Sequence, residues 1–354
     1  SSAASDVYKR QVLTGLKQMG FDDVYEVSRG AELVSDATRK LMADGRLPKP
    51  VISSACPAVV RLIRVRFPDL CDHVLNLNAP MEVSAMMAKR AASERTGIPV
   101  EEIGAFFITP CPAKVTDIKM PIGTEGSWCD GAIAISEVFP LLSHRMDKLE
   151  TVEPIGQSGL IGVSWAGSGG ESAALLNEKY LAADGIENVI RVLEELEDER
   201  IRELDFVELN ACSGGCVGGV LCVENGYVAK ARLQRLRKYL PVSQNHLDGG
   251  VPRDMEWTEP LEFAPVLKLS QNLEEAMQMM EEIDVICEGL PGLDCGSCGA
   301  PSCRALAEDV VKGVARTSDC VFVMREQVKN VADTLSSIGG YVPSYLDSKE
   351  KQGN

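Results

Sequence analysis

The chain has 354 residues, 45% hydrophobic and 25% charged, enough for two or three domains with a sizeable core. Thirty-six Lys and Arg against 52 Asp and Glu leave a formal net charge of −16, which repels phosphates and argues against a nucleic-acid partner. No apolar run approaches the ~18 residues of a membrane span and no signal peptide is recognisable, so the sequence reads as cytoplasmic.

In chain order, residues 1–11 read as a leader, non-native or disordered. Val12 to Met19 predicts a helix stopped by Gly20, and Ala31 to Met42 a second, stopped near Gly45. Pro50 to Ala55 predicts a strand running into Cys56-Pro57, followed by a helix from Val59 to Phe67. Residues 81–95 read as helical; Met81, Met86 and Met87 fall at helical spacing and read as core. Ile103 to Thr109 predicts a buried strand ending at Pro110-Cys111, and Ile133 to Leu149 a helix. Ile186, Val189, Ile190, Leu193 and Leu196 repeat at 3.6 residues opposite an acidic face. A strand from Leu204 to Leu209 then ends at Asn210-Ala211-Cys212. This alternation predicts α/β layers. Residues 12–240 form one predicted domain and 241–286 a connecting segment with an acidic helix over 271–286. Residues 287–345 form a small cysteine-rich domain, and 346–354 a frayed tail.

Three predicted strands each end on a cysteine, and in α/β sheets ligands gather where strand ends meet loops. Twelve cysteines without a secretory signal point to metal or redox chemistry before disulfides. His73, His144 and His246 are too scattered for a histidine-built site. The tail carries Cys295, Cys298, Cys303 and Cys320 in a C-x2-C-x4-C-x16-C pattern, a four-thiolate set for an iron–sulfur cluster or a structural zinc. A predicted helix from Arg304 to Ala315 places Cys303 at its N-terminus. Cys212-Ser-Gly-Gly-Cys216 alone is half a site and needs two more ligands; Cys56 and Cys111 are the candidates.

Ser53-Ser54-Ala55-Cys56-Pro57, Thr109-Pro110-Cys111-Pro112-Ala113-Lys114 and Glu208-Leu209-Asn210-Ala211-Cys212-Ser213-Gly214-Gly215-Cys216 resemble, in order and spacing, the three signature loops of the [FeFe]-hydrogenase catalytic domain. The resemblance covers roughly residues 11–235, and the tail is similar to a four-cysteine [4Fe-4S] module of sensory-type relatives. It implies an α/β fold of two lobes around an H-cluster, plus a small cysteine-rich iron–sulfur domain. The H-cluster would be a [4Fe-4S] cubane and a two-iron subsite carrying CO, cyanide and an azadithiolate. Cys56, Cys111, Cys212 and Cys216 would hold the cubane, Cys216 bridging to the two irons. Lys114 would donate to a cyanide, and Ser54, Thr109, Pro110, Asn210 and Gly215 would line the cofactor. The implied reaction is H2 ⇌ 2 H+ + 2 e−, with a ferredoxin-like electron partner or a signalling domain, and with hydrogenase maturation proteins building the two-iron subsite.

Prototypical members carry a proton-relay cysteine where this chain has Ala55, and methionines where it has Thr109 and Asn210. An intact cofactor with an impaired or rerouted proton path implies slow turnover, which suits an H2 sensor. A substitute relay needs a partly buried acid with a raised pKa; Glu171 and Glu208 are the candidates. Asp117 is placed to orient Lys114. Cys71 and Cys287 read as small hydrophobes, Cys129 as a loop thiol able to approach the site, and Cys222 stays open. Two other classes fit parts of the sequence: a non-catalytic electron-transfer or cluster-assembly protein on the same fold without the two-iron subsite, and a structural zinc protein. Ala55 favours the former, whereas Lys114 and the glycines around Cys216 argue against it.

Overall fold

The computed structural model describes residues 11–149, 151, 156–264, 269–270, 272–300 and 302–339, with backbone alone for 335–339. The predicted frayed tail, and the predicted leader up to residue 10, lie outside these residues. The chain divides into two compact units between Ala264 and Pro265.

The first unit starts with a helix over residues 11–18 (α1). Then follow α2 (Val27–Ala43), β1 (Val51–Ile52), α3 (Pro57–Arg66), α4 (Pro80–Thr96), β2 (Phe106–Thr109), α5 (Pro112–Lys119), β3 (Gly131–Ala134) and α6 (Ile135–Met146). Short helices α7 (Leu160–Ser164) and α8 (Gly170–Ala174) lead to β4 (Tyr180–Asp184), α9 (Ile186–Glu197), β5 (Phe206–Asn210) and α10 (Gly226–Arg237). The strands form two parallel sheets, β1-β5-β4 and β2-β3, the two α/β lobes that the motifs imply.

Strand β5 is central and covered on both faces, so Phe206, Val207, Glu208 and Leu209 are all buried. A strand packed on both sides must be apolar on both, and Glu208 is therefore the residue that needs explaining. Alternation sends Val51 and Phe206 into a core with Leu33, Ala37, Val83 and Met86 of α2 and α4. Ile52, Val207 and Leu209 enter the other core, with Val59, Ile63, Val189 and Leu193 of α3 and α9.

The helix predicted from Ile133 instead begins at Ile135: residues 131–134 pair in register with Phe106 to Thr109, a long-range partnership that local periodicity does not encode. Strand β4 and helix α10 are not among the predicted elements. Residues 241–264, read as connecting segment, pack into the first unit: Met255 and Leu261 are buried in its two cores.

The second unit holds α11 (Leu273–Glu288), α12 (Cys303–Val311) and α13 (Val321–Gly339). Its core joins Ile283, Leu290, Leu306, Ala307 and Cys320. Among the described residues no helix is long and apolar enough to cross a membrane.

Candidate active site

Each signature loop leaves the C-terminal end of a parallel strand and presents its cysteine at the turn. Cys56 and Cys111 are the N-cap residues of α3 and α5, with Pro57 and Pro112 in the first helical position. The Cys-Pro pair is thus a helix start, where proline's missing N–H costs nothing. Buried Thr109 fixes the second loop by accepting the Cys111 N–H at 3.1 Å and donating to the Cys111 carbonyl.

The third loop is braced against the second and against the turn between α7 and α8. Leu221 N–H donates to the Pro110 carbonyl at 3.1 Å, and Val217 N–H to Ala166 at 2.9 Å. Gly215, at φ +87°, lies against the Gly167–Ser168 backbone, where a Cβ would collide with Ser168 N. Gly219 lies equally close to the Pro110 carbonyl. Gly218 lies against the Ser213 carbonyl in the same way, so three of the four glycines between residues 214 and 219 are demanded by close approach of backbone to backbone.

All twelve cysteines are free thiols. Burial pushes the Cys216 thiol up to about 12; Lys114 opposes the rise and Cys56, Cys111 and Cys212 add to it. Cys212 is raised too, by burial and then by Cys111, Cys56 and Cys222. Cys212 and Cys216, whose ionisation burial and the neighbouring thiols oppose, belong with Cys56 and Cys111 to a donor set that cationic iron would complete. No three His, Cys, Asp or Glu side chains among the described residues close on a single ion. The residues fit the group the motifs imply.

Beside the thiols lies a mostly apolar cavity of about 530 Å³, lined by Ala55, Cys111, Lys114, Glu171, Cys216 and Cys222 among others. Pro110, Asn210 and Glu208 also reach it, whereas Ser54, Thr109 and Gly215 do not line it. Met81, 2% exposed and read as core, is also part of the wall. Lys114 Nζ donates to the Ala55 carbonyl at 3.1 Å, joining the second loop to the first at the position of the missing relay.

Glu171 enters the cavity from α8 and is 5% exposed. Ser53 Oγ donates to its Oε2 at 2.7 Å and accepts the Ala55 N–H at 3.1 Å. Ser53 thus links the buried acid to Ala55, a bridge that sequence reasoning passed over although Ser53 lies two residues away. Burial pushes the Glu171 carboxyl up to about 8; nearby Glu208 adds to the rise, while the Ser53 hydrogen bond and Lys114 reduce it. Glu208 is held differently. Its Oε1 accepts from Gly169 N and Asn210 Nδ2, both at 2.9 Å, and its Oε2 from Ser172 N at 2.8 Å. The buried polar residue of β5 is satisfied by clamping the turn that carries Glu171.

Asp117 faces Lys114 but also Arg61, whose guanidinium lies 3.8 Å away, and burial raises its carboxyl. Glu82 is a further, half-buried acid near Lys114 that the sequence did not single out; Ser127 Oγ and Trp128 N donate to it at 2.6 and 2.7 Å, and burial raises it. Cys129 packs beside Glu82, its thiol pushed up to about 12 by burial, and lines a neighbouring cavity rather than this one. Cys71 lies in the apolar core, and the ring Nδ1 of His73 sits 2.9 Å from the Pro50 carbonyl.

In the second unit Cys298, Cys303 and Cys287 pack against the core that contains Cys320, and Cys295 is exposed. Hydrogen bonds from Ser297 lower the Cys295 thiol. Asp294 accepts the Cys303 N–H at 2.6 Å, and Ser302 caps α12 by accepting from Ala305 N. Gly296 and Gly299, both at positive φ, turn the chain between these cysteines.

Paired parallel sheets that present thiols at their strand ends, beside a cavity holding a lysine and a buried acid, define an α/β iron–sulfur domain. Residues 2–220 match the family described as "Iron only hydrogenase large subunit, C-terminal domain", and the chain belongs to that family. Residues 290–322, which span the four tail cysteines, match "Putative Fe-S cluster". Iron hydrogenase 1 of Clostridium pasteurianum is 19% identical over 255 residues, 59% of this chain and 44% of the relative. The chain therefore spans under half the length of that curated relative. The cytosolic Fe-S cluster assembly factor nar1 of Aspergillus terreus is 30% identical over 99 residues, 28% of this chain and 16% of the relative. A variant of the [FeFe]-hydrogenase HydA1 from Chlamydomonas reinhardtii shares the fold, with a TM-score of 0.53 at 16% identity over 72% of this chain and 88% of that one.

Proposed function

We propose that this chain is a slow, hydrogen-sensing [FeFe]-hydrogenase that interconverts H2 with two protons and two electrons at an H-cluster. One observation carries the reading: Lys114, Cys216 and the buried acid Glu171 line one cavity, and Glu171 reaches position 55 through Ser53. When bound, the H-cluster supplies the iron centre at which H2 is cleaved or formed. Cys56, Cys111, Cys212 and Cys216 would hold its cubane, and Cys216, which lines the cavity, would join it to the two-iron subsite. Lys114 offers an ammonium to the anionic ligands of that subsite.

Proton traffic then falls to the chain's own groups. Ala55 cannot titrate. Glu171, raised to about 8, is mostly protonated at neutral pH and can give up and regain its proton near the working pH. Ser53 Oγ is the group able to pass that proton between the carboxyl and the cavity wall at Ala55. Without a thiol at 55 this path is incomplete, which accounts for slow turnover. The apolar walls of the cavity admit H2 and limit water. The tail thiolates Cys295, Cys298, Cys303 and Cys320 would hold a second [4Fe-4S] cluster that exchanges electrons with a ferredoxin-like partner or a signalling domain. Maturation proteins would deliver the two-iron subsite, and the cytoplasm is the compartment that suits this chemistry.

The match to an assembly factor supports a second reading, a cubane-only protein in electron transfer or cluster assembly. Infrared spectroscopy of protein matured and purified without oxygen separates the two. Iron-bound CO and cyanide bands that respond to H2 are expected. Iron–sulfur colour without such bands, even after a synthetic two-iron precursor is supplied, would favour the second reading.

A further inference from the structure

Strand β4 meets the third signature loop with a carboxylate. Asp184 is the last residue of β4, in register with Asn210 at the end of β5. Gly185 N–H donates to the Asn210 carbonyl at 3.0 Å and ties the two strand ends together. Asn188 Nδ2 donates to the Asp184 carbonyl at 3.0 Å and fixes the turn into α9. From this anchored position Asp184 Oδ1 accepts the Gly214 N–H at 2.9 Å. On the other side of the same glycine, Ser168 N–H donates to the Gly214 carbonyl at 3.0 Å. Gly214 stands at φ +82°, midway between Cys212 and Cys216, and is the glycine of this loop that no close backbone approach explains. Asp184 and Ser168 hold that turn from its two ends.

Holding the turn does not need a charge. An asparagine oxygen would accept the Gly214 N–H as well, and among the described residues no lysine or arginine forms an ion pair with Asp184. What the carboxylate adds is a half-buried negative charge bonded to the middle of the Cys212–Cys216 loop. Net charge around an iron–sulfur cluster sets its potential: reduction adds an electron, and a nearby anion opposes it. Lys114, which lines the cavity with Cys216, is the opposing cation. We propose that Asp184 is a positioning residue with a second role: it holds the third loop through Gly214, and its charge sets the potential of the cluster held there below the value that the bond alone would give. This rests on a cubane at the signature loops, which both readings of the function share.

The test is an anaerobic redox titration of the full chain by electron paramagnetic resonance. The protein is produced without the maturation machinery and carries Cys320→Ser, so that the signature-loop cluster is read alone. Asp184→Asn keeps an oxygen for the Gly214 N–H and removes the charge. Its iron content and line shape should stay unchanged while the ratio of reduced to oxidised cluster at a fixed potential rises about tenfold, ~59 mV for one electron. Asp184→Ala removes the bond as well and should release iron to a chelator at least ~3-fold faster than Asp184→Asn. Glu187→Gln, in the first turn of α9, removes the same charge without a bond to the loop and should shift the midpoint by less than half as much. An unmoved midpoint in Asp184→Asn overturns the proposal. So does an equal shift in Glu187→Gln, or equal iron release from Asp184→Ala and Asp184→Asn. A parent protein without any cubane signal overturns the cubane reading and the proposal with it, so the two failures are told apart.

Discussion

Replacing Glu171 by Gln tests the buried acid directly. A carboxyl that ionises at about 8 in the fold and at 4.5 in the unfolded chain binds its proton more tightly in the fold by roughly 5 kcal/mol. The sign follows from counting protons. Below 4.5 both states are protonated and Glu171 contributes no penalty; between 4.5 and 8 the folded chain holds the proton that the unfolded chain has released, so stability falls with rising pH. Above 8 the full penalty is present. From pH 6 to pH 9 this group alone removes roughly 3 kcal/mol. At about 2–4 °C per kcal/mol for a domain of this size, the unfolding midpoint should fall by about 6–12 °C more in the unmodified protein than in Glu171→Gln. Glutamine retains the oxygen that accepts the Ser53 hydroxyl and removes only the ionisation. The assay is thermal unfolding followed by circular dichroism under anaerobic conditions at pH 6 and pH 9, at one scan rate. Parallel pH profiles for the two proteins would refute the buried, protonated acid and with it the proposed relay.

Ala55→Cys places a thiol on the cavity wall above the Ser53–Glu171 pair, and hydrogen evolution by the matured protein should rise at least ~10-fold with its infrared bands retained; unchanged turnover would show that position 55 does not limit the proton path. Glu32→Ala leaves four donors, Gly159 N, Gln244 N, Asn245 N and Asn245 Nδ2, without the carboxylate they share at 2.6–3.0 Å, and should destabilise the fold by more than ~3 kcal/mol in denaturant melts. Protein produced without the maturation machinery should bind about eight irons per chain in two cubanes, and Cys320→Ser about four with the signature-loop cluster intact, as read by iron analysis and electron paramagnetic resonance.

The cysteine loops were legible because their signals are local. A Cys-Pro pair marks a helix start, and glycines at this density mark backbone against backbone; both stay within a few residues of the thiols. The partners of the buried acids were not legible. Ser53 meets Glu171 across 118 residues, and Asn245 meets Glu32 across 213, so nothing in the neighbourhood of either acid announces its partner. The requirement that a relay acid be buried and raised could be stated from sequence, but its choice between Glu171 and Glu208 could not. Strands β3 and β4 were missed for a related reason. Gly-Ala-Ile-Ala and Tyr-Leu-Ala-Ala-Asp show no alternation, and they are strands because β2 and β5 offer them parallel partners. Residues 241–264 look like linker by composition, yet two apolar anchors, Met255 and Leu261, are enough to fasten them to the cores.

The two acids divide by what holds them. Glu208 receives donors on both oxygens, two of them backbone amides at the start of α8, so its carboxyl is engaged in shaping that turn. Burial first, and then Glu208 beside it, raise the Glu171 carboxyl. Relay function therefore falls on Glu171, and its exit falls on Ser53. Ser53→Ala removes that exit together with a hydrogen bond that lowers the Glu171 carboxyl, so the carboxyl should rise further and the stability loss, still beginning at 4.5, should extend to higher pH. The same substitution should slow hydrogen turnover while the infrared bands of the metal centre stay in place. The two readouts distinguish the roles: a hydroxyl that merely fills space would leave the pH profile where it was, and an unmoved profile would remove Ser53 from the path.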